Sequence, residues 1–221
     1  MTLFGLIDIS VALSPTTPVW PGVGPLAVSQ ERTPLGSELV TTSSVAMTVH
    51  HGTHIDAPLH FARAGRSIDQ LDLDLLTGPC SVLEHKGSGH ITAADLLTMG
   101  FSPCKRLLIK TRNSEALRHG QLDRDFISLL PDAIDLLMKS KVAVLGVDGF
   151  SIGPYGEISD QNHIAFCGAG GIIIEVLDLL DVQPGAYELI ALPVKLKGLE
   201  AAPARVLLRP LAPEDVTSDR L

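Results

Sequence analysis

Four of the eight histidines in this 221-residue sequence fall within eleven positions, in the stretch VHHGTHIDAPLHF, residues Val49 to Phe61. Together with Asp56 they offer imidazole and carboxylate donors and no thiolate, a set that suits zinc, manganese or ferrous iron and leaves coordination positions open for water. Gly52 weakens a helix here, and Pro58 pushes the residue before it towards extended geometry. In an extended chain residues 54, 56, 58 and 60 share one face, so His54 and Asp56 stand about 7 Å apart at Cα and can converge on one ion. His50 would lie about 20 Å from Asp56 in a fully extended chain. The spacing therefore predicts a bend at Gly52 and Thr53 that brings His50 back beside His54 and Asp56. His51, of opposite parity, is given an ordinary structural role.

These residues need a scaffold, and the rest of the chain reads as α/β. Short β-rich runs stand at LIDISVAL, VAMTVH, CSVLEH, RLLIKT, VAVLGVD, GIIIEVL, YELIALPVKL and ARVLLRPL, each ended by Gly, Pro or polar residues. VAVLGVDG is apolar throughout before its aspartate, the pattern of a strand buried on both faces. Between the strands, ITAADLLTMG predicts a helix opened by a Thr92 cap and closed by Gly100. DRDFISLLPDAIDLLMKS has helical spacing, with Pro131 expected to divide it into two helices. The expected architecture is a mixed β-sheet with helices packed on it. Prolines and glycines are scattered as turn punctuation, with no repeat or linker, so residues 1–221 are read as one domain.

Composition excludes several functions. With 17 basic against 25 acidic residues the net charge is −8, and no Lys/Arg cluster is present to follow a phosphate backbone; no nucleic-acid partner is expected. The amino-terminal MTLFGLIDISVALSP has no basic region before its apolar stretch, and Asp8 interrupts that stretch, so it reads as a strand and not as a signal peptide. No apolar run reaches the roughly 18 residues needed to cross a bilayer, so no membrane partner is expected. Cys80, Cys104 and Cys167 are odd in number, far apart and in apolar contexts, which argues against a disulfide framework and for a reducing, cytoplasmic setting. The glycines of GAGG follow no strand–turn–phosphate pattern.

The motif HHGTHIDAPLHF resembles H-x-G-T-H-x-D-x-P-x-H, the signature of the cyclase family of metal-dependent hydrolases, which includes bacterial kynurenine formamidases (arylformamidases) and isatin hydrolases. The resemblance extends through DISVALSPTTPVWPG, GPCSVL, HIAFCGAGGIIIEVL and PGAYELIALPVKLKGLEAAPARVLLRPL. It implies a swivelling β/β/α-type fold and Zn2+ or Mn2+ as cofactor, one or two ions per subunit. A first ion would be held by His50, His54 and Asp56; a second would share Asp56 and take His163 and Glu175. His60 would be the general acid/base, and Trp20 would line a substrate pocket. The small-molecule substrate would be an aryl amide, N-formylkynurenine first, cleaved to kynurenine and formate by a metal-activated water. A homodimer or homotetramer is implied as well.

Beside the resemblance stand the readings of the residues themselves. Glu175 lies among isoleucines, where an unpaired carboxylate costs several kcal/mol, so a cation partner, a salt bridge or an exposed face must account for it. Trp20 between Pro18 and Pro21 could cap the core as readily as stack on a ligand. SDQNHIAF, around His163, reads as a loop and says little. Asp148 and Ser151, in VDGFSIGP, stand where the family often has D-T-P-S-x-D-P, but Gly149, Phe150 and Gly153 depart from it, and no role is carried over. The alternatives to arylformamidase are an isatin-hydrolase-like opening of a cyclic amide and a non-catalytic metal-binding protein.

Overall fold

The computed structural model describes residues 5–121 and 124–211. In chain order, β1 spans Ile7–Asp8, β2 Ala27–Leu35, β3 Glu38–Ala46 and β4 His54–Asp56, followed by a 3-10 turn at Pro58–His60. Next come α1 (Leu73–Leu76), β5 (Thr77–Glu84), α2 (Ala93–Thr98), β6 (Arg106–Lys110), α3 (Asn113–Arg118), α4 (Pro131–Lys139) and β7 (Val144–Val147). The last elements are α5 (Glu157–Gly168), β8 (Ile172–Glu175), β9 (Gly185–Pro193) and β10 (Ala201–Pro210). The α/β expectation holds.

Strands β5, β6, β7 and β8 run parallel and are joined by crossovers carrying α2, α3 with α4, and α5. They read as apolar runs because both faces are covered. Leu108, Val144, Ile172 and Ile174 face a core shared with β9 and β10, while Leu107, Ile109, Leu145 and Ile173 face α2, α4 and α5. Antiparallel pairings of β4 with β8, β10 with β4, β9 with β10 and β5 with β9 complete the circuit, so seven strands close into a barrel, and β1 pairs with β10 at Leu207 and Leu208.

The period-2 alternation of β4 decides what the closed sheet presents. Ile55 points into the barrel core, and His54 and Asp56 point to the opposite face. His54 is paired directly with Glu175 of β8, and Asp56 with Ile173, so His54 and Glu175 share that outer face, where α5 packs.

Three local expectations differ. Pro131 does not divide two helices: Leu130 is extended (ψ 162°) and Pro131 is the first residue of α4, a position where the missing N–H costs nothing. Within the stretch, the described residues before Pro131 form no helix, and Asp123 lies outside the described residues. Leu129 instead bridges to Ile91 in a short parallel contact. The SDQNHIAF segment is helical, forming most of α5. Its 3.6-residue pattern is masked because buried positions include polar Ser159, Asn162 and His163, with Asn162 Nδ2 donating to Leu129 O at 2.9 Å and Ile152 O at 3.2 Å. Finally, β2 and β3 form a hairpin that pairs with no other strand among the described residues; VAMTVH overlaps only its end. Every residue of both strands is exposed, so no alternation of buried and exposed types marks it.

Candidate metal centre

The bend expected at Gly52 is present, with φ +61°. A side chain there would also meet the Leu13 side chain, which would have to shift, but it is the positive φ that calls for glycine. Gly52 does more than turn the chain: its carbonyl accepts His54 Nδ1–H at 2.8 Å. Thr53 then ties the motif down. Its Oγ1 donates to Val176 O at 2.6 Å and accepts from Val11 N at 2.8 Å. Val176, directly after Glu175, holds φ +58°, a strained conformation for a β-branched residue, and its N–H donates to Gly149 O at 3.0 Å. The 3-10 turn carrying His60 packs so closely on Gly65 that a Cβ there would lie 2.5 Å from Pro58 C.

These elements bring together all six proposed metal and catalytic residues. His54 Nε2 lies 3.3 Å from Asp56 Oδ1 and 3.4 Å from Glu175 Oε2. His50 Nδ1 lies 3.0 Å from Asp56 Oδ1. His163 Nε2 lies 3.3 Å from Glu175 Oε1 and 3.9 Å from Asp56 Oδ2. The two oxygens of Asp56 are thus divided, Oδ1 towards His50 and His54, Oδ2 towards His163. Glu175 likewise straddles the pair, one oxygen towards His54 and the other towards His163, a dual position the spacing did not suggest. His54, Asp56 and Glu175 form one compact donor group, and His50, Asp56 and His60 another.

Burial makes this arrangement unusual. His54, Asp56, His163 and Glu175 are all buried, yet His54 Nε2, both oxygens of Asp56 and Glu175 Oε1 have no hydrogen-bond partner among the described residues. Orphaned buried polar atoms cost about 1–3 kcal/mol each. Their separations of 3.0–3.4 Å are those of atoms that each sit about 2.0–2.2 Å from a common ion. The ring orientations agree: His54 and His163 spend Nδ1–H on the carbonyls of Gly52 and Ser159, at 2.8 Å each, turning towards the carboxylates the Nε2 that bears the lone pair whenever the ring is neutral. The residues present therefore fit a divalent cation.

The same proximity sets the charges. Burial opposes a positive His54, but the Asp56 carboxylate overrides it and raises the imidazole pKa to about 10. Burial also opposes the Asp56 anion, and the His54 charge outweighs it, holding that carboxyl well below its usual range. His60 differs: burial pushes its pKa down despite Asp56, helped by the neighbouring His50 and His163, so the ring is neutral at pH 7. It packs 4.4 Å from the His50 ring and 4.5 Å from Phe61. His51, given an ordinary structural role, is fully buried, and burial pushes its pKa down.

Above the donors opens a cavity of about 270 Å³, lined by His50, His54, His60, His163 and Glu175 on its polar side and by Trp20, Phe61 and Phe150 on its aromatic side. Trp20 reaches it while packing 5.0 Å from Tyr155 and 6.2 Å from Phe126. Ser151 lines the wall and shares a 2.6 Å hydrogen bond with Ser159. Asp148 is buried and is not among the residues lining the cavity. Gly65 and the Ser159 carbonyl were not singled out in the sequence, and Thr53 was read only as part of the bend, without its hydrogen bonds. Only the G-T between the histidines could have signalled one of them.

Comparison with known proteins gives a consistent result. A family model described as "Putative cyclase" matches residues 7–154. A kynurenine formamidase from Salinibacter ruber is 34% identical over 206 residues, covering 92% of this chain and 97% of that protein. The structure of a predicted metal-dependent hydrolase from Bacillus stearothermophilus superposes with a TM-score of 0.78 at 33% identity, over 94% of this chain and 98% of that one. Isatin hydrolase A from Labrenzia aggregata shares the fold, with a TM-score of 0.79 at 21% identity over 92% of each chain.

Proposed function

Because the chain belongs to the cyclase family, whose relatives here are hydrolases, we propose that it hydrolyses an aryl amide, with N-formylkynurenine as substrate and kynurenine and formate as products. The observation that carries this reading is the set of orphaned buried donors at the floor of an aromatic-walled cavity. The formamidase from Salinibacter ruber, similar over nearly the whole of both chains, supports the choice of substrate.

In this reading His50, His54 and Asp56 hold one Zn2+ or Mn2+, and Asp56, His163 and Glu175 hold a second. When bound, such an ion supplies Lewis-acid activation of water and of the scissile carbonyl. The chain's own residues do the rest. Trp20, Phe61 and Phe150 orient the aryl group and exclude water around it. His60, neutral at working pH, accepts a proton from the attacking water and returns it to the departing amine nitrogen.

The test is a His60→Ala variant alongside a substrate screen. Metal content should be retained while turnover of N-formylkynurenine falls about 10²–10⁴-fold, the usual contribution of a positioned acid/base. Unchanged turnover removes His60 from the reaction. A Zn2+- or Mn2+-loaded protein that opens isatin but leaves N-formylkynurenine intact overturns the substrate.

We also propose that the protein works as a homo-oligomer in a reducing, cytoplasmic compartment. No helix among the described residues is long and apolar enough to cross a membrane. The three cysteines are free and buried, and burial raises the thiols of Cys80 and Cys167 to about 12 and that of Cys104 to about 11, so none is primed for oxidation. A two-stranded ribbon is marginal alone in water, and β2–β3 exposes Val28, Leu35, Leu39, Val40 and Val45; a second copy covering them accounts for its order. Sedimentation of the wild type against Val28→Lys/Val45→Lys reads this directly.

A further inference from the structure

His54 and His163 are each anchored from behind through Nδ1 and turn Nε2 towards the carboxylates. His50 is oriented the opposite way. Its Nδ1 faces Asp56 Oδ1 at 3.0 Å, and its Nε2 lies 3.2 Å from Glu200 Oε1. The fold places Glu200 there by main-chain contacts alone. Its carbonyl accepts Ala57 N–H at 2.8 Å, and the next residue, Ala201, pairs with Asp56 across β10 and β4. The carboxylate itself stays partly exposed, at 36%.

We propose that Glu200 is the positioning residue of His50. It accepts the Nε2–H, so that the neutral ring keeps its lone pair on Nδ1 and presents that atom, rather than Nε2, to a divalent cation beside Asp56. Two of the three rings then take their tautomer from a backbone carbonyl and the third from a carboxylate. An anionic acceptor also makes the ring a stronger donor to the ion. An exposed ion pair would add little to stability; the role of Glu200 is directional. The inference rests on the reading of this cluster as a metal centre.

The experiment compares wild type, Glu200→Gln and Glu200→Ala in two measurements. Zn2+ affinity is read by competition with a chromogenic chelator. The His50 tautomer is read from 15N chemical shifts in the metal-free protein, at alkaline pH where the ring is neutral. Glu200→Ala should weaken Zn2+ binding about 10–100-fold, as loss of an outer partner of a ligating histidine does, and should mix the tautomers. Glu200→Gln keeps an oxygen acceptor and should keep the Nε2–H tautomer and most of the affinity. Three results overturn the proposal: a Glu200→Ala protein with wild-type affinity, a wild-type His50 carrying its proton on Nδ1, or a Glu200→Gln loss as large as that of Glu200→Ala, which would make Glu200 itself a ligand. If the wild type takes up no Zn2+, the metal-centre reading fails, and the tautomer measurement still decides the role of Glu200.

Discussion

Two buried aspartates stand at the ends of neighbouring parts of the barrel, and they are treated in opposite ways. Asp148, after β7, is saturated by its own chain. Thr111 N and Ser114 N donate to Oδ2 at 2.7 and 3.2 Å, Ser114 Oγ to Oδ2 at 2.8 Å, and Thr111 Oγ1 and Asn113 Nδ2 to Oδ1 at 2.9 and 3.3 Å. Asp56, in β4, is equally inaccessible, and neither of its oxygens has a hydrogen bond among the described residues. Burial raises the Asp148 carboxyl in spite of its neutral donors, whereas the charged histidines beside Asp56 win over burial and lower it. A buried carboxylate surrounded by N–H and O–H groups is finished; one surrounded by histidine nitrogens and a second carboxylate is a site. The difference distinguishes an anchor, here for the start of α3, from a proposed ligand.

Replacing each aspartate should separate the two roles. Asp148→Ala strands five buried donors, and the expected loss is the largest, about 3–5 kcal/mol of unfolding free energy in a urea titration. A loss under about 1 kcal/mol would show that water replaces the carboxylate freely and would dissolve the contrast.

Asp56→Ala should cost less in the metal-free fold, while Zn2+ affinity falls at least about 100-fold. Its pH dependence sharpens the distinction. In the metal-free wild type His54 has a folded-state pKa raised from 6.5 to about 10. The corresponding stabilisation is therefore complete below pH 6.5 and is lost as pH rises through 10. With chelator present, stability should decline across that window and Asp56→Ala should flatten the decline. With Zn2+ present the trend should reverse, because the ion competes with the same protons. A metal-free protein equally stable at both ends would show that Asp56 does not hold His54 protonated.

The smallest effect is expected at Thr111→Val, which removes one donor to Asp148 and leaves four. About 1 kcal/mol should be lost, with Zn2+ affinity unmoved. A shift in affinity would mean that the two aspartates are coupled.

What could be read in the sequence follows the range of the interactions involved. The bend at Gly52 and the shared face of His54 and Asp56 are local, set by one glycine and by the two-residue period of a strand. Glu175 was legible because a charge among isoleucines contradicts its surroundings. His163 needed the family resemblance, since the helix holding it is buried on polar as well as apolar positions. Pro131 misled because a proline in a helical pattern signals a start as well as a break, and only the extended backbone at Leu130 distinguishes them. The β2–β3 hairpin has no buried face and hence no alternation to detect. Glu200 and the donors of Asp148 were invisible for another reason: strand register and crossovers bring them beside partners distant along the chain.

Closure of the barrel also governs when the site can exist. Strand β4 is flanked by β8 and β10, so His54 meets Glu175, and Asp56 meets Ala201, only after the chain has been made through β8 and β10. Contacts of such long sequence separation form late and slowly. During synthesis the histidine stretch emerges early but lacks the partners that orient it. A growing chain therefore offers a scavenging ion only loose, unaligned imidazoles, and the assembled cluster takes shape when β10 is laid down.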